Sequence, residues 1–117
     1  MNLRAIRGAI QVGANTPEEI ASGVKELLPA ILEANSLTAD QVISVILTCT
    51  PDLNAAFPAA FAREIGFGAV PLLCAVEMDV PGALPLVIRV MLHAELGEKA
   101  NHVYLRGATA LRRDLAQ

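Results

Sequence analysis

Arg7, Glu77, Arg89 and Tyr104 are the residues of this 117-residue chain best placed to do chemistry. Arg89 interrupts the apolar run LVIRVMLHA (86–94), between Ile88 and Val90. A guanidinium buried among such neighbours needs an anion, because an unpaired internal charge is strongly destabilising. That anion is either Glu77 or Asp79, in a structural salt bridge, or an anionic ligand. Arg7 lies on a strand face with Leu3, Ala5 and Ala9, either as a rim arginine or as part of a pocket. Two partly buried arginines with few acids nearby suit a ligand carrying more than one negative charge, since the arginine fork matches carboxylates. Glu77 ends the run VPLLCAVE (70–77), as a solvated strand end, a partner of Arg89, or an acceptor pointing into the same pocket. Tyr104 is the only tyrosine, and Cys74 reads as a small buried apolar residue.

Other chemistries lack their signatures. There is no GxGxxG, P-loop, GxSxG or HExxH pattern. His93 and His102 have no third ligand at useful spacing, so no metal is expected, and paired catalytic carboxylates are not evident. An enzyme with arginines, one carboxylate and a tyrosine is equipped for electrostatic stabilisation rather than covalent or metal chemistry, and no cofactor is implied.

The elements that must position these residues follow from periodicity. Residues 2–12 alternate as a strand, with Arg7 on one face and Ile6, Gly8, Ile10 and Val12 on the other. Thr16-Pro17-Glu18-Glu19 is a helix start, with Thr as N-cap and Pro at the first helical position. The helix carries Ile20, Val24, Leu27, Leu28, Ile31 and Leu32, contains Pro29 where a bend is expected, and stops at Asn35. VISVILTC (42–49) reads as a strand buried on both faces, and 70–77 as another buried strand. Between them Pro51–Asn54 form a turn and Pro58 opens a short helix ending at Gly66. Residues 86–94 and 102–105 are further strands, separated by a polar turn at 97–101. The order β-α-β-α-β-β-β places the chain in the α+β class, with a mixed sheet packed by two helices in one domain, 1–117. Two helices cannot cover both faces of five strands.

Composition points the same way. The chain is 54% hydrophobic and 18% charged. The apolar share reaches about 60% with the glycines counted and Tyr104 set aside, against roughly 45–50% in average domains. So short a chain does not hide that surface alone, which predicts an oligomer. A net charge of −3 gives no footprint for nucleic acid. No apolar run reaches the roughly 18–20 residues of a membrane span, and Arg4 and Arg7 interrupt any signal-like stretch, so a cytoplasmic protein without a membrane partner is expected. Seven of the nine basic residues are arginine, the side chain suited to bidentate contact with carboxylates.

The segments RAIRGA (4–9), TPEEI (16–20), TPDLNAAFPA (50–59), Arg63–Glu64, VPLLCAVEMDVPG (70–82), IRVM (88–91), HVYL (102–105) and LRRDL (111–115) resemble the small trimeric α/β class of chorismate mutase, the AroH type, nearly end to end. The resemblance implies a homotrimeric pseudo-barrel of the chorismate mutase/YjgF-like fold. It also implies conversion of chorismate to prephenate, on the route to phenylalanine and tyrosine, at clefts between subunits. It implies that Arg7 and Tyr104 hold substrate carboxylates, that Arg89 donates to the ether oxygen, and that Glu77 accepts from the ring hydroxyl. The catalytic group is then Arg89, Glu77 and Arg7. Leu72, Leu73 and Cys74 would lie against the substrate, Phe57 and Arg63 would come from the neighbouring chain, and Leu111 and Arg112 would fold over the entrance. Ala60 stands where the family commonly has lysine, and the chain ends soon after LRRDL, so a longer lid is not expected. A trimeric metabolite binder or imine-deaminase-like protein is the alternative, and Glu77 aimed at a hydroxyl is what separates the two.

Overall fold

A computed structural model describes residues 1–111. The strands are β1 (Asn2–Gln11), β2 (Val42–Cys49), β3 (Leu72–Val76), β4 (Val87–Leu96) and β5 (Val103–Leu105). The helices are α1 (Pro17–Ala34) and α2 (Pro58–Ala62), the latter continuing into a wider turn at Arg63–Phe67. The sheet order is β3-β2-β4-β1-β5. β4 runs antiparallel to β1 and β2, whereas β3 is parallel to β2 and β5 to β1. The β2–α2–β3 unit is a crossover between neighbouring parallel strands, a connection too long for a hairpin.

Local signals set the boundaries. The Thr16 side chain accepts from the Glu19 amide at 3.1 Å, and Pro17 occupies the first turn, where its missing donor does no harm. α1 continues through Pro29 and ends at Asn35, but the left-handed residue that turns the chain is Ser36, φ 52°. The Asn35 side chain ties this end to the 97–101 turn, donating to the carbonyls of Ile31 and Asn101 and accepting from the Asn101 amide. Gly66, φ 104°, terminates the second helical segment where a side chain would be strained.

Both helices lie on one face. Ile20, Val24, Leu27, Leu28 and Ile31 of α1 are buried against Ile6, Ile10, Val12, Ile88 and Leu92, and Ala59, Ala62 and Phe67 join the same cluster. Burying each large aliphatic side chain contributes about 1.5–3 kcal/mol. α1 comes very close to the sheet. A Cβ at Gly8 would stand 2.6 Å from Ile31 Cδ1 and 3.2 Å from the Val103 carbonyl, and one at Gly23 would stand 2.6 Å from Val12 Cγ1.

The other face corrects three expectations. β2 is not buried on both sides: Val45, Leu47 and Cys49 are buried, while Ile43 is exposed and Ile46 and Thr48 only partly covered. β3 is not a buried strand but an edge, with Leu73 61% and Val76 71% exposed. Arg89 is not a buried cation, since its side chain is 46% exposed on the uncovered face. The physical reason is common to all three. Apolar runs that look two-sided in sequence have a second side here, but the helices leave it open. A turn of 3₁₀ helix at Arg106–Leu111 lies on that face, burying Ala108 with Ala9 and Val87 beside Leu84, Tyr104 and Leu111.

Two outcomes are expected from this packing. Gly8→Val lowers the unfolding free energy by about 1–3 kcal/mol through overpacking, whereas Gly97→Ala, where nothing lies within 4 Å, is close to neutral. Thermal unfolding of the two variants checks this. Burial, with the Cys74 thiol, Glu77 and Asp52 adding to it, pushes the Cys49 thiol up to about 12. Thiolate is the reactive form, so at pH 8 iodoacetamide leaves Cys49 unmodified until the protein is unfolded, as read by peptide mass spectrometry.

Candidate active site

Register brings the candidate residues together. Thr48 on β2 pairs with Arg89 on β4, Arg89 pairs with Ala9 on β1, and Ala9 pairs with Tyr104 on β5. Directly paired residues share a face, so Tyr104, Arg89 and Thr48 form one row on the side away from the helices. Ala9, between the tyrosine and the arginine, is buried with Ala108 and Val87. Arg7 lies one pleat along β1, opposite Met91 and on the same side. β3 pairs with β2 through Ala75 and Thr48, and the Glu77 amide donates to the Cys49 carbonyl at 2.9 Å. That bond carries the strand path two residues past Ala75, so Glu77 returns to the Thr48 face.

The carboxylate of Glu77 is held from two sides. The Thr48 hydroxyl donates to Oε2 at 2.7 Å, and Arg89 Nε stands 3.1 Å from Oε1. The Glu77 side chain is only 15% exposed. The structural alternative for Arg89, a pair with Glu77, is therefore realised, and Asp79 is not the partner. A pair this open to solvent contributes about 0–1 kcal/mol at most.

Two hollows meet at Arg89. One, about 310 Å³, is lined by Arg7, Gly8, Ile46, Thr48, Arg89, Val90, Met91 and Tyr104. The other, about 740 Å³, runs from Thr48, Glu77 and Arg89 under the Met78–Pro85 loop to Asp52. A clamp at Thr50 and Asp52 fixes that loop's return. The Leu86 amide donates to both Asp52 oxygens, at 3.2 and 3.0 Å, the Val87 amide donates to Thr50 Oγ1 at 3.0 Å, and the Thr50 hydroxyl donates to Asp52 at 2.5 Å. Leu86 takes a left-handed backbone, φ 57°, where β4 begins. The start of β4, and with it Arg89, is thereby tied to the end of β2.

Other expected site residues lie elsewhere. Leu72 and Cys74 alternate to the helix side, where both pack against the core. Cys74 lines a separate apolar hollow of about 490 Å³ with Cys49, Leu53, Pro58 and Phe57, which is 77% exposed. Leu73 is on the Arg89 side but open to solvent, and Arg63 is exposed on the turn after α2. Leu111 folds onto the face beside Tyr104, whereas Arg112 lies outside the described residues. One chain thus carries two unlike hollows, one charged and one apolar. Sequence reasoning missed Thr48, Thr50 and Asp52. The available signal for Thr48 was parity: a hydroxyl at the position alternating with Leu47 and Cys49 falls on the face opposite theirs.

Among the described residues no three His, Cys, Asp or Glu side chains cluster to hold a metal ion, and no helix is long and apolar enough to cross a membrane.

The family model "Chorismate mutase type I" matches residues 3–115. A protein of Thermus thermophilus named chorismate mutase AroH is 49% identical over 97% of this chain and 96% of its own. A protein of the same name from Bacillus subtilis (strain 168) is 42% identical over 99% of this chain and 94% of its own. A solved chorismate mutase from Clostridium thermocellum superposes with a TM-score of 0.89 at 45% identity, covering 92% of this chain and 98% of that one. A match that spans both lengths and agrees in fold leaves one assignment: the chain belongs to the type I chorismate mutase family.

Proposed function

We propose that this chain converts chorismate to prephenate at the Arg7–Glu77–Arg89–Tyr104 face. The observation that carries the reading is the one-pronged pairing of Arg89 with Glu77 beside Arg7 and Tyr104. The substrate is a dicarboxylate, which accounts for cations on an otherwise apolar strand face. Its rearrangement transfers no proton and forms no covalent intermediate with the enzyme. Negative charge grows on the ether oxygen as the bond to the ring breaks. Arg89, fixed at that oxygen, stabilises the transition state more than the ground state, which is the condition for acceleration. Arg7 and Tyr104 hold the carboxylates and Glu77 accepts from the ring hydroxyl. Together they keep the substrate in its compact reactive conformer, which removes part of the entropic barrier. Glu77 aimed at a hydroxyl favours an enzyme over a metabolite binder or imine-deaminase-like protein, which would need the arginines alone.

The assembly consistent with this chemistry is a homotrimeric pseudo-barrel in the cytoplasm. The uncovered sheet face, the exposed edge strand β3 and the separate Phe57–Cys74 hollow support it. A neighbouring chain that brings its Phe57 hollow and Arg63 against the charged face would dry the pocket, with Leu72, Leu73 and Cys74 lying against the substrate. Drying strengthens the Arg89 field, since charge interactions grow as the local dielectric falls. Leu111, packed beside Tyr104, belongs to the segment that covers the entrance.

Replacing Arg89 separates this reading from a structural one. Arg89→Met is expected to lower kcat by about 10²–10³-fold or more, with a smaller change in KM and little change in Tm, and Arg89→Lys stays impaired because it loses the planar fork. Steady-state kinetics and thermal melts on the same preparations decide it; a stable, fully active Arg89→Met, Glu77→Leu double variant removes the assignment. Mixed oligomers test the shared site. Arg63→Ala chains assembled with Arg89→Ala chains regain activity, because some interfaces hold both native residues. Complete absence of recovery places both residues in one chain's site, and a fully active monomer in sedimentation removes the trimer.

A further inference from the structure

Thr48 shares the Glu77 carboxylate with Arg89. Its hydroxyl donates to Oε2 at 2.7 Å, leaving Oε1 to face Arg89 Nε at 3.1 Å. An unrestrained carboxylate beside a guanidinium favours the two-pronged arrangement, with both oxygens facing two parallel N–H groups. Here the Thr48 hydroxyl holds Oε2 to β2, and the contact made with Arg89 is that of Oε1 with Nε. The Nη groups of Arg89 make no hydrogen bond among the described residues. Arg89 and Thr48 both line the Arg7–Tyr104 hollow and also the hollow beneath the Met78–Pro85 loop.

The fold holds Thr48 in that task. It sits directly across from Arg89 in the β2–β4 ladder, so its distance to the arginine is set by backbone pairing. It is β-branched, with a restricted χ1 that suits a strand and limits where the hydroxyl points. An ionised carboxylate can only accept, so the hydroxyl must donate, and its direction is fixed by the acceptor.

We propose that Thr48 is a positioning residue for the rearrangement. By holding Glu77 Oε2 to β2 it turns the carboxylate so that it does not meet the guanidinium fork face-on in a two-pronged ion pair, and so leaves the Nη groups for the substrate's ether oxygen. The proposal rests on the assignment of Arg89 and Glu77 to the site. It predicts a loss in rate rather than in binding or stability. Without the hydroxyl, Glu77 swings to take both an Nε and an Nη proton of Arg89. The cation is then neutralised where charge must be met, while the substrate carboxylates still find Arg7 and Tyr104.

The test is a set of variants of the full chain assayed for loss of chorismate absorbance, with thermal melts on each. Thr48→Val keeps the shape of the side chain and removes the donor. It is expected to lower kcat by about tenfold or more, the scale of one hydrogen bond to a charged group, with KM and Tm little changed. Thr48→Ser, which keeps the donor, restores most of the rate. In a Glu77→Ala background Thr48→Val has no further effect on kcat, because the carboxylate it positions is gone. An undiminished effect in that background overturns the proposal, since Thr48 would then act without Glu77. A crippled Glu77→Ala beside a fully active Thr48→Val overturns the proposal and leaves the site assignment standing. A fully active Glu77→Ala overturns the site assignment and the proposal with it.

Discussion

The closeness of α1 to the sheet is the constraint from which the rest follows. With hydrogen alone at Gly8 and at Gly23, the helix settles onto β1 and β4 until Ile31 and Val12 fill the space that a Cβ would need. That contact commits one face of every strand to the core. Because a strand alternates its side chains, the remaining residues of β1, β2 and β4 are sent to the opposite face together. Arg7, Thr48 and Arg89 reach a common surface for the same reason that Ile10, Leu47 and Ile88 reach a common core.

A charged group on that surface contributes little to holding the subunit together. The Arg89–Glu77 pair is partly wet, and such pairs bring about 0–1 kcal/mol. Its value is orientation. Thr48, Arg89 and Glu77 each stand on a different strand or strand end, and each strand is tied to the next: β2 to β4 by register, β3 to β2 through the Glu77 amide, and the start of β4 to the 50–54 turn through Thr50 and Asp52. The geometry of the site is thus set by backbone pairing rather than by long flexible side chains. The mechanism we propose, catalysis by a fixed field, requires this, because donors that must reorganise during the reaction lose their advantage.

The same one-sided covering relates composition to assembly. An excess of apolar residues in a short chain appears here as an open sheet face, an exposed edge strand and the apolar hollow around Phe57. The open face is also where the charged hollow lies. Any partner surface that covers the first surrounds the second.

Much of this was legible in the residues. The Thr16–Glu19 cap, the α1 stripe, the strand at 42–49, the break at Gly66 and the polar turn at 97–101 all follow from local preferences, and local preferences are written in local sequence. The oddity of Arg89, and Glu77 as its partner, were legible as well, because a charge in an apolar strand must be answered. Which face each strand buries against was not. VISVILTC and VPLLCAVE look alike as apolar runs, yet one is a central strand covered on one side and the other an exposed edge. Sheet order and the number of available helices decide that, and both are long-range. For Thr48 parity gives the face but not the partner, for a related reason. A threonine in a strand is an ordinary strand former, and only register with Arg89, together with the return of Glu77 to the same face, makes its hydroxyl part of the site. The sequence by itself determined the elements and the chemical types; tertiary structure decided which atoms meet, because pairing across strands is set by contacts far apart along the chain.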